Sequence, residues 1–251
     1  MKAMIIEAYG SADLFKTAEL PVPVLRENEV LLEVRAVSIN PFDCKIRAGL
    51  AKDYLPYTFP IILGWDVSGV VKAIGVQTSA FQIGDEVFAR VGIKKPGGLA
   101  EYCAVEEHLL VKKPENLSFE QAAAIPLAAM TAWQMLVDKA GIRKGESVLI
   151  QGGAGGVGSF AVQLAGHFGA AVTATASGKN VELVRSLGAD RVIDYQKEDF
   201  TECGSKFDVI LDTVGGHVLT RSYDLLKPGG RLVSIAGRIN NEIAVEKKIT
   251  A

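Results

Sequence analysis

The second half of the chain alternates short apolar runs with amphipathic segments. Five runs have the length and the content of small or branched apolar residues expected of buried strands, at residues 148–151, 171–176, 191–195, 208–214 and 231–235. Helical patterns separate most of them, at residues 156–168, 180–187 and 217–226. Because parallel neighbours need a crossover connection, this alternation predicts an α/β fold with a doubly wound parallel sheet.

The first 118 residues follow a different pattern. Residues 28–39 partly alternate apolar and polar side chains, as a half-buried strand does, and residues 1–7, 64–74, 86–91 and 99–105 are further short strand candidates separated by Gly and Pro. This spacing predicts a small β domain. Ser118 and Gln121 then form a capping box that predicts a helix start, which Pro126 breaks or kinks, and a second helical stretch ends at Gly141.

A glycine turn joins the apolar strand at residues 148–151 to the following helix. Gly153, Gly155 and Gly158 have the G-x-G-x-x-G spacing, which permits a sharp turn, close approach of backbone amides to a pyrophosphate, and packing of helix on strand. The helix N-terminus adds unpaired N–H groups and a positive dipole end. We therefore predict that a dinucleotide binds at Gly153, Ala154, Gly155, Gly156, Val157 and Gly158.

The residues after the second strand of this half predict which dinucleotide binds. An NAD site usually places a carboxylate about 20 residues beyond the glycines, where it binds the ribose hydroxyls. This chain has Ser177 and Lys179 there. A 2′-phosphate would meet a hydroxyl donor and an ammonium group, so we expect the cofactor to be NADPH.

Composition and charge exclude several classes of partner. The 251 residues carry a formal charge of −2, without the basic excess of nucleic-acid binders. No apolar run approaches the ~20 residues of a membrane helix. Cys44, Cys103 and Cys203 are widely spaced and form no C-x-x-C pair, which is typical of a reducing compartment and of a chain without a metal site. We expect a soluble cytoplasmic protein that binds neither nucleic acid nor membrane.

Several short motifs occur along the chain in a fixed order. They are Ser-Ile-Asn-Pro-Phe-Asp at 38–43, Gly-Trp-Asp-Val-Ser-Gly-Val-Val at 64–71, Ile-Gly-Asp-Glu-Val at 83–87, Gly-Leu-Ala-Glu-Tyr at 98–102, Ala-Ala-Ala-Ile-Pro-Leu at 122–127 and Ala-Gly-Gly-Val-Gly at 154–158. Together they resemble the zinc-independent quinone oxidoreductase (zeta-crystallin-like) family of the medium-chain dehydrogenase/reductase superfamily.

The resemblance implies a domain organisation. It implies a GroES-like substrate domain at residues 1–124, a Rossmann NADP(H)-binding domain at residues 125–251, and a cleft between them. Relatives continue further, with an additional strand and dimer contacts, so we expect this chain to lack a C-terminal part. A homodimer is expected if the full-length chain is present.

The resemblance also implies a reaction, in which NADPH reduces a quinone or an activated alkene, such as an enone or alkenal, by hydride transfer without a metal. Zinc-dependent relatives have Cys where this chain has Asn40, and Gly-His-Glu where it has Gly64, Trp65 and Asp66. Asn and Trp do not replace thiolate and imidazole on Zn²⁺, so no metal is expected. Trp65 either narrows the cleft or gives a flat substrate a stacking face, or it is a half-buried side chain that packs at the domain interface.

The resemblance places further site residues. Tyr195 joins Ser177 and Lys179 at the 2′-phosphate. Residues around the nicotinamide are Asn40, Thr131, Val214, Gly215, Ile235 and Ala236. Asn40 either hydrogen-bonds a ribose or substrate carbonyl, or caps the loop before Pro41. Some relatives carry Tyr at the position of Lys45, so the proton donor stays open between Tyr54, Tyr57 and solvent.

Two other functions compete with this one. A short-chain dehydrogenase would use a pair such as Tyr223 and Lys227, but that family normally begins with the glycine turn, whereas a β-rich domain precedes it here. We therefore reject that assignment. The remaining alternative is an NADPH-binding protein with a structural or regulatory role and no catalytic activity.

Overall fold

The computed structural model describes residues 1–250, and the chain divides into two compact units after Leu127. This boundary lies three residues after the predicted division at residue 124. No helix within residues 1–250 has both the length and the apolar character needed to cross a bilayer.

Two antiparallel sheets form the first unit, Met1–Leu127. Their strand orders are β2-β1-β4 and β7-β3-β5-β6-β8. The strands are β1 Lys2–Ile6, β2 Lys16–Glu19, β3 Glu29–Ser38, β4 Ile61–Ile62, β5 Asp66–Ile74, β6 Glu86–Arg90, β7 Tyr102–Glu106 and β8 Leu110–Lys112, and the helices are α1 Pro41–Arg47 and α2 Phe119–Ala123. Strands predicted at 1–7, 28–39, 64–74 and 86–91 are confirmed as β1, β3, β5 and β6, whereas β7 begins three residues later than predicted at 99.

One hydrophobic core of the first unit is formed largely by side chains of the larger sheet. It is built from residues that alternate along β3 and β5 to face the same side, such as Leu32 and Val67, and from Ile46 on α1. Trp65 belongs to this core and is 1% exposed. The core thus fixes the start of α1, which follows Asn40, and the start of β5, which follows Trp65.

Five parallel strands form the second unit, in the order β11-β10-β9-β12-β13. The elements are β9 Ser147–Gln151, α4 Gly156–His167, β10 Ala171–Ala176, α5 Val181–Ser186, β11 Arg191–Asp194, β12 Phe207–Asp212, α6 Gly216–Ser222, β13 Leu226–Ser234 and α7 Asn241–Glu246. The predicted doubly wound parallel sheet is confirmed. The order reverses between β10 and β12 on either side of β9, which is where such sheets bind ligands.

The helices at the division between the units follow the predicted signals. Gln121 N donates to Ser118 Oγ over 3.2 Å and Ser118 N donates to Gln121 Oε1 over 2.9 Å, so the capping box starts α2 as predicted. Helix α3, Pro126–Trp133, begins at the proline and continues as a π-helical segment, Gln134–Lys139. Gly141 follows with φ +58°.

Candidate functional site

The glycine turn between β9 and α4 is closely packed against its own backbone. Gly152 has φ +78°, a conformation that residues with a side chain rarely adopt. A Cβ on Gly158 would lie 2.1 Å from the carbonyl oxygen of Gly152. The first turn of α4 therefore lies directly against the end of β9, which only glycine at 158 permits.

The N–H groups of this turn fall into two sets. Gly152 N donates to Thr175 Oγ1 over 3.0 Å, Gly153 N donates to Thr175 O over 2.8 Å, and Gly155 N donates to Gly152 O over 3.0 Å. These three donors hold the turn in shape. The N–H groups of Ala154, Gly156, Val157 and Gly158, in the same turn, have no acceptor within residues 1–250. Four neighbouring donors at a helix N-terminus form a site suited to an anion.

A buried polar network lies beneath the turn. Gln151 is 1% exposed, and its Oε1 accepts a hydrogen bond from the hydroxyl of Thr175 over 2.8 Å. Its Nε2 donates to Ser222 Oγ over 3.2 Å. The sequence analysis did not single out these residues. The signal that would have found them is a polar side chain at the C-terminal end of an apolar strand.

The predicted 2′-phosphate residues lie at one edge of the sheet. Ala176 pairs with Asp194 across β10 and β11, so Ser177 and Tyr195 follow at the same edge. Ser177 Oγ accepts from Asn180 Nδ2 over 3.0 Å, which leaves the hydroxyl proton available as a donor. The ammonium group of Lys179, an exposed residue, has no ion-pair partner among residues 1–250.

A cavity of about 690 Å³ opens at this edge of the second unit. Tyr195, His217 and Arg221 contribute to its lining. The Arg221 guanidinium lies 5.3 Å from the ring centroid of Phe200 and donates to Asp199. This hydrogen bond, together with those from the backbone N and the hydroxyl of Thr201, lowers the pKa of Asp199 to about 2. The lining of the cavity thus includes the aromatic rings of Tyr195 and Phe200 and the ion pair of Asp199 with Arg221.

The loops after β12 and β13 are joined through Asp212, which is fully buried. Its Oδ1 accepts from Val214 N over 3.0 Å and from Gly215 N over 2.9 Å, and its Oδ2 accepts from Ser234 Oγ over 2.7 Å. A Cβ on Gly215 would lie 2.7 Å from Ala236 O. The structure therefore brings together the predicted residues Val214, Gly215 and Ala236, with Ile235 beside them. The sequence analysis missed Asp212 as their anchor.

Thr131 lies on α3, within the second unit. The same helix carries Ala128, and a Cβ on Gly156 would lie 3.9 Å from the Cβ of Ala128. The start of α3 in this unit therefore lies beside the start of α4. Thr131 is placed one helical turn away from that contact.

Asn40 lies in the first unit, immediately before α1, and is held by two buried carboxylates. Its Nδ2 donates to Asp66 Oδ2 over 3.0 Å, and its backbone N donates to Asp43 Oδ2 over 2.7 Å. Asp43 also accepts from Gly64 N over 3.0 Å. Burial raises the pKa of Asp43. Asn40 thus occupies the N-cap position, as the capping alternative expected, and one N–H of its amide remains available.

Asp66 collects three donors at the start of β5. Besides Asn40 it accepts from Arg90 over 3.0 Å and from the backbone N of Leu127 over 2.9 Å. Its side chain is fully buried, and burial raises its pKa although these hydrogen bonds act in the opposite direction. The carboxylate stands where zinc-dependent relatives were expected to have Glu, and here it orients an amide.

Tyr54 and Tyr57 line one cavity of about 530 Å³ in the first unit. Tyr54 is 77% exposed. The hydroxyl of Tyr57 donates to Ile93 O over 2.7 Å, and burial raises the pKa of Tyr57 to about 12. Because the proton of Tyr57 is already committed, Tyr57 is a poorer candidate proton donor than Tyr54.

Trp65 is 1% exposed and belongs to the core of the first unit, so the expected stacking face and the expected half-buried position were both wrong. Its Nε1 donates to Lys95 O over 2.9 Å, and the rings of Phe42 and Tyr57 each lie 5.8 Å from its own ring centroid. Both aromatic neighbours contribute to its burial. Trp65 and Asn40 supply neither thiolate nor imidazole, and no group of three or more His, Cys, Asp or Glu side chains within residues 1–250 is arranged to hold a metal ion.

Two family models match this chain. One, described as the alcohol dehydrogenase GroES-like domain, matches residues 26–115, and the other, described as zinc-binding dehydrogenase, matches residues 156–250. The solved quinone oxidoreductase of Coxiella burnetii is 37% identical with a TM-score of 0.88, and the match covers all of this chain and 81% of that one. The chain belongs to the quinone oxidoreductase-like medium-chain dehydrogenases/reductases. The predicted family and fold class are confirmed.

Curated relatives of this family include two plant reductases. The 2-methylene-furan-3-one reductase of Solanum lycopersicum is 45% identical over an alignment of 248 residues, which covers 95% of this chain and 63% of the relative. A chloroplastic NADPH-dependent alkenal/one oxidoreductase of Arabidopsis thaliana is 43% identical over 248 residues, with the same coverage of 95% and 63%. The chain therefore spans about 63% of the length of these relatives. The zinc in the name of one family model has no matching ligand set at Asn40 and Trp65.

Proposed function

We propose that the protein is an NADPH-dependent oxidoreductase that reduces quinones or activated alkenes by hydride transfer. In this proposal the second unit binds the cofactor and the first unit supplies groups for the small-molecule substrate. The observation that carries the proposal is the set of four unpaired N–H groups of the glycine turn, at the same sheet edge as Ser177 and Lys179. Relatives named as alkenal/one and quinone oxidoreductases support the substrate class.

The residues present fit a dinucleotide. The N–H groups of Ala154, Gly156, Val157 and Gly158 would bind the pyrophosphate, and the closeness of Gly158 to the Gly152 carbonyl keeps that surface free of side chains. The hydroxyl of Ser177, the ammonium of Lys179 and the exposed ring of Tyr195 would bind the adenosine end with its 2′-phosphate. When bound, NADPH supplies the hydride. Thr131, Val214, Gly215, Ile235 and Ala236 would hold the nicotinamide end.

In the first unit, Asn40 would stabilise the charge that develops on the substrate. Reduction of an enone or quinone moves negative charge to the substrate oxygen, and a positioned N–H donor stabilises it. Asp66 holds one N–H of the Asn40 amide, so the second N–H has a defined direction. The proton that completes the reduction would come from the exposed hydroxyl of Tyr54 or from water, because the proton of Tyr57 is engaged.

A turnover assay with matched variants tests the proposal. The protein is mixed with NADPH and with a benzoquinone, an enone or an alkenal, and cofactor absorbance is followed, with NADH in parallel. We expect oxidation of NADPH, and we expect Lys179→Gln to raise the KM for NADPH about tenfold by removing a charge-assisted contact. Lys139→Gln, at another exposed lysine, should leave the KM unchanged. Binding of NADPH with no turnover of any acceptor would instead support the non-enzymatic alternative.

We also infer a cytoplasmic location and, if the full-length chain is present, a homodimer. The cysteines Cys44, Cys103 and Cys203 are all unpaired thiols, as in a reducing compartment. Some relatives are named as chloroplastic or mitochondrial, so location needs its own test by microscopy of the tagged protein. Sedimentation of the purified full-length protein tests the dimer.

A further inference from the structure

The carboxylate of Asp194 has an unused hydrogen-bonding capacity at the end of β11. Asp194 is 7% exposed. Its Oδ1 accepts from Gln196 N over 3.1 Å, but its buried Oδ2 accepts no hydrogen bond within the described chain. The ammonium of Lys197 lies 3.5 Å from Oδ2, on a side chain that is 80% exposed. A buried carboxylate oxygen is rarely left with so little compensation, and such exceptions often mark functional sites.

This oxygen lies against the turn that carries the proposed phosphate ligands. A Cβ added to Gly178 would lie 2.8 Å from Asp194 Oδ2, so the carboxylate is in contact with the backbone between Ser177 and Lys179. Gly178 N donates to Gln196 Oε1 over 3.2 Å, which ties the turn to the segment that follows Asp194. The negative charge therefore lies directly beneath the two residues that would receive a 2′-phosphate.

The negative charge of Asp194 disfavours binding of a 2′-phosphate at this turn but does not disfavour binding of a 2′-hydroxyl. A dianionic 2′-phosphate beside Lys179 gains attraction from the ammonium but meets repulsion from Asp194, whose burial reduces screening by water. A neutral 2′-hydroxyl meets no such repulsion. Like-charge placement of this kind is a common way to adjust specificity between two ligands.

We propose that Asp194 is a specificity-determining residue, whose carboxylate weakens the preference of the Ser177–Lys179 turn for a 2′-phosphate, so that the site accepts NADH as well as NADPH. The inference rests on the proposed function, because it assumes that the adenosine end of the cofactor lies at this turn. It differs from the sequence analysis, which found no opposing carboxylate near the 2′ position. Asp194 ends β11, the third strand of this unit along the chain, whereas the sequence analysis considered only the residues after the second strand, β10.

Asp194→Asn is the sharpest variant. It keeps Oδ1 as the acceptor for Gln196 N and nearly the same volume, and it removes the charge. Asp194→Ser, which is also neutral and has a hydroxyl acceptor, carries the test if the Asn variant does not fold. Asp138→Asn is the control, because Asp138 is an exposed carboxylate of the same unit with no partner in the described residues.

The readout is binding of two adenosine fragments, 2′,5′-ADP and 5′-AMP, measured by titration calorimetry. They differ only in the 2′-phosphate. We expect Asp194→Asn to bind 2′,5′-ADP about fivefold more tightly than the unmodified protein, which corresponds to about 1 kcal/mol. Binding of 5′-AMP should stay within about twofold, and the gain should shrink at high salt. The ratio of kcat/KM for NADPH over NADH should rise by a similar factor.

The outcomes separate the inference from the function it rests on. If the unmodified protein binds neither fragment nor NADPH, the proposed function fails and the inference fails with it. If both fragments bind but the neutral variants leave their affinity ratio unchanged, the inference alone is wrong. An equal change for both fragments also overturns it, because that result would assign Asp194 to the shape of the turn. A gain confined to 2′,5′-ADP and absent in Asp138→Asn supports it.

Discussion

The side-chain amide of Asn40 donates to the buried carboxylate of Asp66 over 3.0 Å. The two residues are 26 positions apart, one before α1 and one at the start of β5. Asp66 is itself fixed by Arg90 and by the backbone N of Leu127. The amide is therefore oriented before any substrate binds, and such preorganisation is what a charge-stabilising donor needs.

Loss of the Asp66 carboxylate should destabilise the first unit. Asp66→Ala leaves the Arg90 guanidinium and the Leu127 N–H without their acceptor, and breaking a buried pair in this way costs about 3 kcal/mol. Asp66→Asn keeps an acceptor and should cost about 1 kcal/mol. The free energy of unfolding in urea measures both. Asp53→Asn, at an exposed carboxylate, should change it by less than about 0.5 kcal/mol. A cost below about 1 kcal/mol for Asp66→Ala would contradict the assignment.

Removal of the Asn40 amide should lower turnover more than cofactor binding. If its free N–H stabilises developing charge, Asn40→Ala should lower kcat about a hundredfold, as removal of one such donor typically does. The dissociation constant of NADPH, measured by fluorescence titration, should stay within about twofold. Asn116→Ala, at an exposed loop position, is the matched control. A proportional rise in KM with an unchanged kcat would instead assign Asn40 to substrate binding alone.

Two glycines of α4 should respond oppositely to the same substitution. A Cβ on Gly158 would lie 2.1 Å from Gly152 O, so Gly158→Ala must displace the turn. We expect this variant to lower the free energy of unfolding by about 2 kcal/mol and to weaken NADPH binding. A Cβ on Gly166 would have its nearest neighbour at 3.8 Å. Gly166→Ala should therefore stabilise the helix by about 0.5 kcal/mol. Thermal unfolding and calorimetry with NADPH check both. Equal effects of the two substitutions would show that close packing at Gly158 is unimportant.

Local patterns predicted the elements that have a strong local signal. The glycine spacing from Gly153 to Gly158, the capping box at Ser118 and the apolar runs of the parallel sheet are properties of a few consecutive residues, and the structure has each of them. The strands β2, β4 and β8 have only two to four residues, which is too short for a recognisable alternation. Their pairing depends on neighbouring strands instead.

The parts of the site that could not be predicted are contacts between distant residues. Nothing local to Asp194 indicates that its carboxylate lies against Gly178, and nothing local to Asp212 indicates that it joins the loops after β12 and β13. Trp65 likewise packs against Phe42 and Tyr57, which lie near it only in the folded chain. The roles of these residues depend on strand register and on the crossover connections, and the periodicity of the sequence does not predict either.

The two tyrosines of the first-unit cavity should have separable roles. Tyr57→Phe removes the hydrogen bond to Ile93 O and should cost about 1 kcal/mol of stability with little effect on turnover. Tyr54→Phe removes an exposed hydroxyl and should leave stability unchanged. If Tyr54 donates the proton, this variant lowers the rate with an enone more than with a quinone, whose product takes its proton readily from water. Equal turnover of the Tyr54→Phe variant and the unmodified protein with both substrates would assign the proton to solvent.

The Asp199–Arg221 pair should make stability depend on pH in acid. The hydrogen bond from Arg221, with two more from Thr201, lowers the pKa of Asp199 to about 2 in the folded chain, below its ordinary value of 3.8. A folded-state pKa below the unfolded value contributes stability that is present above about pH 4 and is lost as the pH falls towards about 2.

Asp199→Asn should therefore lower the unfolding temperature at about pH 7, and its difference from the unmodified protein should shrink steadily below about pH 4. Asp138→Asn removes a carboxylate without such a partner, so its difference should not follow this course. A carboxyl NMR titration gives the pKa directly. If that titration finds Asp199 near 3.8, or if the stability difference is the same at about pH 7 and about pH 3, Arg221 does not hold the carboxylate in solution as it does in the structure.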